Sequence, residues 1–181
     1  MVIFWRRIDL DGLERMTLVA SESGLRAVST IICVEDGGFK LDHTWQLTPD
    51  WRAVSLKVER LGANGPRHMT LERDDDGWRV NGERRSDLDE ADEPDLSVTP
   101  FCNSLPIRRL LSSDAESLTV EVAYVDGKDL TVTRSRQRYD RLGPDRVRFV
   151  DLGLSAGFEA ELRVDDRMLV VSYEHLFERV G

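Results

Sequence analysis

The sequence contains few of the residues that bind metals or form covalent cross-links. It has two cysteines, Cys33 and Cys102, whereas a structural zinc site alone needs about four ligands. Its three histidines, His43, His68 and His175, are far apart and form no HxxxH or HExxH motif. We therefore predict two reduced thiols, no metal site and no cofactor.

Known catalytic and nucleotide-binding motifs are also missing. The chain has no Gly-x-Ser-x-Gly nucleophile elbow and no glycine-rich phosphate loop of the Walker or Rossmann type. Acidic residues cluster at 74–76 and 87–93, but without the spacing of a calcium loop. The sequence therefore predicts no catalytic residues, and a protein that is not an enzyme.

Membrane-spanning and nucleic-acid-binding features are absent as well. No apolar run approaches the roughly 20 residues that a membrane-spanning helix needs. The N-terminal sequence MVIFWRRIDLDG lacks the charged-then-apolar order of a signal peptide. A net charge of −9 opposes binding to nucleic acids and to anionic membrane surfaces. We expect a cytoplasmic protein with no membrane insertion and no nucleic-acid partner.

What the sequence does contain is a long series of short segments in which apolar and polar residues alternate. With 181 residues, 40% hydrophobic and 33% charged, the composition is that of one globular domain over residues 1–181. The alternation and the turn residues between segments predict antiparallel strands without βαβ units. The predicted strands are 13–20, 25–34, 39–47, 51–61, 118–124, 130–139, 147–152, 158–164 and 168–173.

Three local patterns add detail to this prediction. Val54, Leu56 and Val58 alternate with polar residues, which predicts that they share one face of their strand. The Asn81-Gly82 pair predicts a type I′ hairpin turn, because both residues tolerate positive φ. The acidic sequence SDLDEADEP predicts a mobile loop over 86–94.

One window, DLSVTPFCNSLPIRRLL over residues 95–111, is patterned as a helix. Thr99 followed by Pro100 is typical of an N-cap with proline at the first helical position. Pro106 is too deep for one straight helix that begins there, since its ring would clash with the carbonyl four residues earlier. The sequence therefore predicts one turn over 100–104 and a second helix or a kink over 106–112, covered by the sheet.

Within this window, TPFCNSLPIRRL resembles the segment T-P-F-x-N-x-L-P-I-R-R-L of the bacterial putative glycolipid-binding family. The Trp45–Trp51 region, GWRVNGE and the ending FEAELRVDDRMLVVSYEHLFERV are similar to the same family. The chain departs from the family pattern at Cys102 and Ser104, where threonine is more usual. The resemblance implies a mostly β, α+β fold: a spiral β-roll whose many-stranded antiparallel curled sheet wraps around a single central helix. It also implies a homodimer.

Arginine and asparagine side chains in this window are candidates for contact with a ligand. The fork of donors on Arg108 or Arg109 suits an anionic or sugar-bearing head group. Alternatively, both arginines pair internally with Asp95 or with the acidic loop. Asn103 either donates to a sugar hydroxyl or satisfies a backbone group near the helix break.

Aromatic and charged residues outside the window leave similar alternatives open. Trp45 and Trp51 flank one turn, where they line an apolar cavity, stack on a sugar, or belong to the core. Another candidate is a row of same-parity arginines at 134, 136 and 138. This row either borders a pocket or forms a solvated face paired with Glu159 and Glu161.

Three functional hypotheses follow from these observations. The first is a non-catalytic binder of a glycolipid or similar amphiphile, with the apolar tail between sheet and helix and the head group near Asn103, Arg108 and Arg109. The second is a dimeric structural or protein-interaction module with a fully packed sheet and no small ligand. An enzyme of a type without a known motif is the third.

Overall fold

The computed structural model describes residues 1–181 and is 57% strand and 8% helix. It has one α-helix, α1 (Ser104–Leu111), and two short 3-10 turns, Glu35–Gly37 and Ser86–Leu88. No helix in it combines the length and the apolar character needed to cross a membrane. The strands are β1 (Val2–Arg7), β2 (Gly12–Ser21), β3 (Gly24–Cys33), β4 (Phe39–Leu47), β5 (Ala53–Gly62), β6 (Gly65–Asp74), β7 (Gly77–Val80), β8 (Glu83–Arg84), β9 (Glu93–Leu96), β10 (Ser117–Val125), β11 (Val132–Arg141), β12 (Arg146–Asp151), β13 (Glu159–Val164), β14 (Val170–Tyr173) and β15 (Phe177–Arg179).

All fifteen strands belong to one curled sheet, as the fold prediction requires. From β1 the sheet continues in sequence order to β8 on one side, and from β15 it runs backwards to β9 on the other. The first and last strands therefore pair at the middle of the sheet, with Trp5 opposite Arg179. Every neighbouring pair is antiparallel except β9 with β10, which are parallel.

That parallel pair corrects the prediction of a meander without a βαβ unit. Parallel neighbours need a crossover connection, and here α1 lies between β9 and β10 in the chain. This arrangement was not predictable from the sequence, because β9 is only four residues long and includes a proline. Proline is tolerated there because β9 is an edge strand of the sheet.

Alternation predicted most strand positions, and a β-bulge accounts for one error. Leu56 and Val58 are buried, but Val54 is 42% exposed and does not share their face. The register shifts here, with Gln46 opposite Ser55 and Leu47 opposite Ala53, so Val54 is an extra residue on β5. A bulge reverses the inside–outside order of the strand before it. The predicted Asn81-Gly82 turn is present, with φ of 51° and 82° at the two residues.

The helix begins later than the sequence predicted. Residues 100–103 form a turn, and the Thr99 hydroxyl accepts a hydrogen bond from the Phe101 N–H (3.2 Å) rather than capping α1. Asn103 occupies the N-cap position without a side-chain cap. Pro106 therefore lies in the first turn of α1, where no earlier carbonyl needs its missing N–H. One short straight helix replaces the predicted pair.

The helix lies between two hydrophobic clusters and contributes side chains to both. Phe101 and Leu105, at its start, pack into the larger cluster, which β1 to β7 dominate. Ile107 and Leu110 pack into the cluster formed by β10 to β15. All four side chains are at most 1% exposed. The helix thus fills the space around which the sheet curls.

The acidic segment connects the two edge strands of the sheet, β8 and β9. Leu88 and Ala91 are fully buried, and the Trp78 indole N–H donates to the Ala91 carbonyl (2.9 Å). Glu93 begins β9, and its carboxylate accepts hydrogen bonds from the Ala53 N–H (3.0 Å) and from Arg52 (3.2 Å). Residues 86–92 form a loop, as the sequence predicted, but Glu93 and Pro94 belong to β9. The mobility of this loop stays a prediction.

Candidate functional site

A cleft of about 250 Å³ opens beside the N-terminus of α1 and is the candidate site. We call it the helix-side cleft. It lies where β9 and the turn before α1 face strands of the C-terminal half of the sheet. One wall is apolar and mostly aromatic, and the opposite side is polar. Its lining residues are Asp95, Leu96, Ser97, Thr99, Asn103, Tyr124, Gln137, Phe149, Asp151, Ser155, Phe158, Tyr173, Leu176 and Phe177.

A chain of hydrogen bonds fixes the polar side of the cleft. The Asn103 amide donates to the Tyr139 hydroxyl (2.9 Å), which donates to the Gln137 carbonyl oxygen (3.0 Å). The Gln137 amide in turn donates to one oxygen of Asp95 (2.5 Å), and the Cys102 thiol donates to the other (2.9 Å). Because each partner holds the next, the side chains that face the cleft are positioned before any ligand arrives.

Burial changes the ionisation of this network. Loss of solvent raises the pKa of Asp95, and the nearby Asp151 carboxylate raises it further, against the hydrogen bonds from Cys102 and Gln137. Burial likewise raises the pKa of the Cys102 thiol and of the Tyr139 hydroxyl well above their usual values. Cys102 therefore remains a protonated hydrogen-bond donor and not a thiolate nucleophile.

The aromatic wall is built from rings that pack against one another. The Phe149 ring centre lies 5.9 Å from that of Tyr173 and 6.1 Å from that of Phe158. Phe177 extends the wall at 6.2 Å from Tyr173. Tyr173 is only 6% exposed, yet its hydroxyl has no hydrogen-bond partner within the chain. The hydroxyl oxygen is not among the buried polar atoms that lack a partner, so it reaches the solvent of the cleft and is open to an external partner.

The turn between β12 and β13 borders the opening of the cleft. Ser155 is exposed in this turn and lines the cleft. Leu152 and Leu154, in the same turn, are 40% and 54% exposed. An apolar group that extends from the cleft along this turn would contact these two exposed leucines.

Of the five residues that the sequence proposed as ligand contacts, only Asn103 lines the helix-side cleft. Its side chain bonds Tyr139 rather than a backbone group, so the expected local role was wrong. Only its backbone carbonyl serves α1, by accepting from the Ile107 N–H (3.2 Å). Direct contact of Asn103 with a ligand stays a prediction.

The two helix arginines lie away from the cleft. Arg109 pairs with Asp92 of the acidic segment at 3.5 Å, which confirms one of the expected internal pairs. The guanidinium of Arg108 instead covers the Trp51 ring at 3.9 Å and donates to the Arg167 carbonyl. Burial lowers the pKa of Arg108. Trp51 is therefore already occupied by a side chain of the protein.

Trp45 belongs to the core. It is fully buried, lies 5.6 Å from Phe101 between ring centres, and donates its indole N–H to His43 (3.0 Å). The other nitrogen of His43 bonds the buried Glu14 carboxylate at 3.0 Å, so this histidine is a partnered core residue. The interpretation of Trp45 as a core side chain is the one that the geometry supports.

The arginine row on β11 faces away from the cleft. Gln137 and Tyr139 point inward, so the even-numbered arginines at 134, 136 and 138 point outward. Arg134 and Arg136 approach Glu121 at 3.6 and 3.5 Å, and Arg138 pairs with Asp140 at 3.0 Å. The predicted pairing with Glu159 and Glu161 was wrong, because β12 separates β11 from β13.

Sequence reasoning missed most of the cleft. Gln137 and Tyr139 alternate with the arginines, and a buried glutamine on a strand is a usable signal because buried polar groups need partners. Phe149, Asp151 and Tyr173 carry no comparable signal. They come together only because the C-terminal strands curl around α1.

Comparison with known proteins agrees with the observed fold. A family model described as "Putative glycolipid-binding" matches residues 2–179. The crystal structure of a DUF1089 family protein from Pseudomonas aeruginosa superimposes with a TM-score of 0.80 at 28% sequence identity. That alignment covers 92% of this chain and 92% of the other. No curated protein matches the chain.

Proposed function

Because the chain belongs to the family described as "Putative glycolipid-binding", we propose that it binds the head group of a glycolipid in the helix-side cleft. The observation that carries this proposal is the cleft itself, which places an aromatic wall opposite a preformed row of amide, hydroxyl and carboxyl groups. A sugar ring has C–H faces that pack on aromatic rings and a rim of hydroxyls that need hydrogen bonds. Apolar surface with a few convergent polar groups is the usual form of a small-molecule site.

The volume of the cleft limits what can enter it. Ligand pockets for drug-sized molecules measure about 300–1,000 Å³, whereas this cleft measures about 250 Å³. Phe101, Leu105 and Leu110 are packed and leave no space for a lipid tail between sheet and helix. In our proposal the tail therefore stays outside, on the exposed Leu152 and Leu154.

We further propose binding without chemical turnover. Cys102 is held as a protonated thiol donor. Each group on the polar side is used to position the next, which suits recognition. A cytoplasmic location is part of the same proposal.

A substitution at the opening of the cleft tests the proposal. Ser155→Trp adds a large ring at an exposed turn, so we expect the fold to be kept and binding of octyl glucoside to be lost. Isothermal titration calorimetry and native mass spectrometry provide the measurement. Ser23→Trp, in the exposed β2–β3 turn, is the matched control. Unchanged octyl glucoside binding in Ser155→Trp would place the ligand elsewhere and overturn the proposal.

The second candidate function, a homodimeric interaction module, rests on the outer face of β1 to β3. Val2, Leu13 and Ile32 are 48%, 47% and 63% exposed there. Leu13 and Ile32 line a groove of about 780 Å³ that also includes Phe4 and Val34. No segment of the chain covers these side chains. Arg6, Asp11 and Arg15 also line this groove. We propose a second copy as the occupant, because interfaces between subunits combine exposed apolar side chains with charged ones at the rim.

The dimer proposal predicts a concentration-dependent mass. Sedimentation or light scattering should give twice the mass of 20.7 kDa for the native chain and the monomer mass for Ile32→Lys. Leu154→Lys, at a leucine that is 54% exposed in the β12–β13 turn and outside this groove, should stay dimeric. A native chain that is monomeric at all concentrations would exclude this interface.

A further inference from the structure

The charged groups of the helix-side cleft all have one sign. Asp95 and Asp151 line it, and no lysine, arginine or histidine does. The arginines on β11 point to the opposite face and are paired with Glu121 and Asp140. The Arg7 guanidinium lies 5.7 Å from the centre of the Phe177 ring, but it is paired with Asp9 and Glu35. Arg108 is stacked on Trp51. A phosphate, sulfate or carboxylate in the cleft would therefore meet like charge without a compensating cation.

The free hydrogen-bonding positions of the cleft are mixed donors and acceptors. Asp151 uses one oxygen to accept from the Gly153 N–H (2.7 Å), and its other oxygen has no partner within the chain. The hydroxyl of Tyr173 is unpartnered and can donate or accept. Asn103 uses one of its two amide hydrogens for Tyr139. A ligand that matches this set must itself both donate and accept.

We propose that the helix-side cleft selects an uncharged, hydroxyl-rich sugar head group and rejects anionic ones. This inference rests on the proposed function and names the class of head group that the same site takes. The free oxygen of Asp151 would accept from a sugar hydroxyl, while Tyr173 and Asn103 exchange hydrogen bonds with the rest of the rim. The aromatic wall of Phe149 and Phe158 would cover one face of the ring.

A cationic amine is the main competing ligand, and the lining disfavours it. An ammonium group only donates, so it would leave the free amide hydrogen of Asn103 unmatched. Both oxygens of Asp95 already accept hydrogen bonds from the protein, which leaves Asp151 as the main acceptor for a cation. A hydroxyl-bearing ring uses more of the available positions than an amine does.

Two ligands that differ at one ring substituent, a hydroxymethyl group in one and a carboxylate in the other, provide the test. Octyl glucoside and octyl glucuronide share the ring and the tail, and the second carries a carboxylate. We expect the glucuronide to bind the native protein about tenfold or more weakly, because its charge meets Asp151 and Asp95. Asp151→Asn keeps the oxygen that accepts from Gly153 and should reduce this difference severalfold. Asp75→Asn, in the exposed β6–β7 turn, should leave the difference unchanged.

Each result separates the inference from the function on which it rests. Equal or tighter binding of the glucuronide would overturn the selectivity while leaving head-group binding intact. Tighter binding of octylamine than of octyl glucoside would overturn it in favour of a cation site. A preference for the glucoside that persists in both Asp151→Asn and Asp95→Asn would show that these carboxylates do not set it. If none of the three amphiphiles binds, the proposed function fails and the selectivity fails with it.

Discussion

At the scale of single residues, Asp95 is the group on which the polar side of the cleft depends. It joins the edge strand β9 to the turn before α1 through Cys102, and to β11 through Gln137. Its burial makes the ionised form costly, so its pKa is raised. The residue that organises the cleft therefore also links its stability to pH.

The sign of that linkage gives a prediction for Asp95→Asn. Since the folded-state pKa lies above the unfolded value of about 3.8, the folded protein holds this proton more tightly. The resulting stabilisation is complete below about pH 3.8 and is lost as pH rises through the folded-state pKa. The native chain should therefore lose free energy of unfolding relative to Asp95→Asn as the pH rises from about 3.8 through the folded-state pKa.

Urea denaturation of both proteins across this pH range provides the measurement. Asp75→Asn, which also removes one carboxyl but on the exposed β6–β7 turn, is the matched control. A difference between native and Asp95→Asn stabilities that is constant, or that grows in favour of the native chain as pH rises, would contradict the assignment.

Individual residues also show where sequence reasoning reaches its limit. Residue type and position beside a turn make Trp45 and Trp51 candidates for ligand contact. These two features cannot distinguish a ring that is free to bind a ligand from one that is covered by other side chains of the protein. Phe101 contacts the first, and Arg108 covers the second, from a segment about 50 positions away. Such long-range neighbours leave no trace in local pattern.

At the scale of elements, the strands were predictable and their exceptions had specific causes. Alternation located β2 to β5 within two residues, because each strand has one buried face. The bulge at Val54 and the short strand β9 escaped, since each is decided by a partner strand distant in sequence. The helix was predicted in the right window, but its first residue was set by tertiary packing of Phe101 and not by Pro100.

The acidic segment provides a prediction at this scale, because Glu93 fastens β9 to β5. The side chain is 1% exposed and accepts from the buried Ala53 N–H. Glu93→Ala leaves that N–H unpaired and should lower the free energy of unfolding by about 2–3 kcal/mol. Glu93→Gln keeps an acceptor and should cost about half as much.

Chemical denaturation measures both changes, with Glu90→Ala as the control. Glu90 lies in the same segment, but its side chain is 70% exposed. A Glu93→Ala variant as stable as the control would mean that the Glu93 carboxylate does not hold β9 against β5.

At the scale of the whole molecule, the pairing of β1 with β15 places the chain termini side by side. The Val180 N–H donates a hydrogen bond to the Phe4 carbonyl (3.0 Å), a distance typical of paired strands. Met1 is held in turn by its amino group, which donates to the Leu18 carbonyl (2.9 Å). The resemblance to a known family predicted the curled sheet. The local sequence did not predict that the first and last strands pair at the middle of that sheet.

A circular permutant tests this arrangement. The permutant joins Gly181 to Met1 by a short glycine linker and opens the chain between Asp75 and Asp76. The new termini then lie in the exposed β6–β7 turn. Because the cut breaks no strand pair of the C-terminal half, the permutant should keep the native circular dichroism spectrum and octyl glucoside affinity. A cut between Thr119 and Val120, within β10, is the contrasting control and should prevent folding. Failure of the first permutant would contradict the described proximity of the termini.

The pairing of β1 with β15 also determines the order in which a newly synthesised chain can form its sheet. As the polypeptide leaves the ribosome, β1 and β2 to β8 can pair in succession, since each meets its neighbour as it appears. The other edge of β1 then stays open until the final strand, Phe177–Arg179, has been synthesised. An incomplete chain thus presents an unpaired strand edge to its neighbours on the same messenger RNA. The sheet is complete only when Phe177–Arg179 pairs with β1.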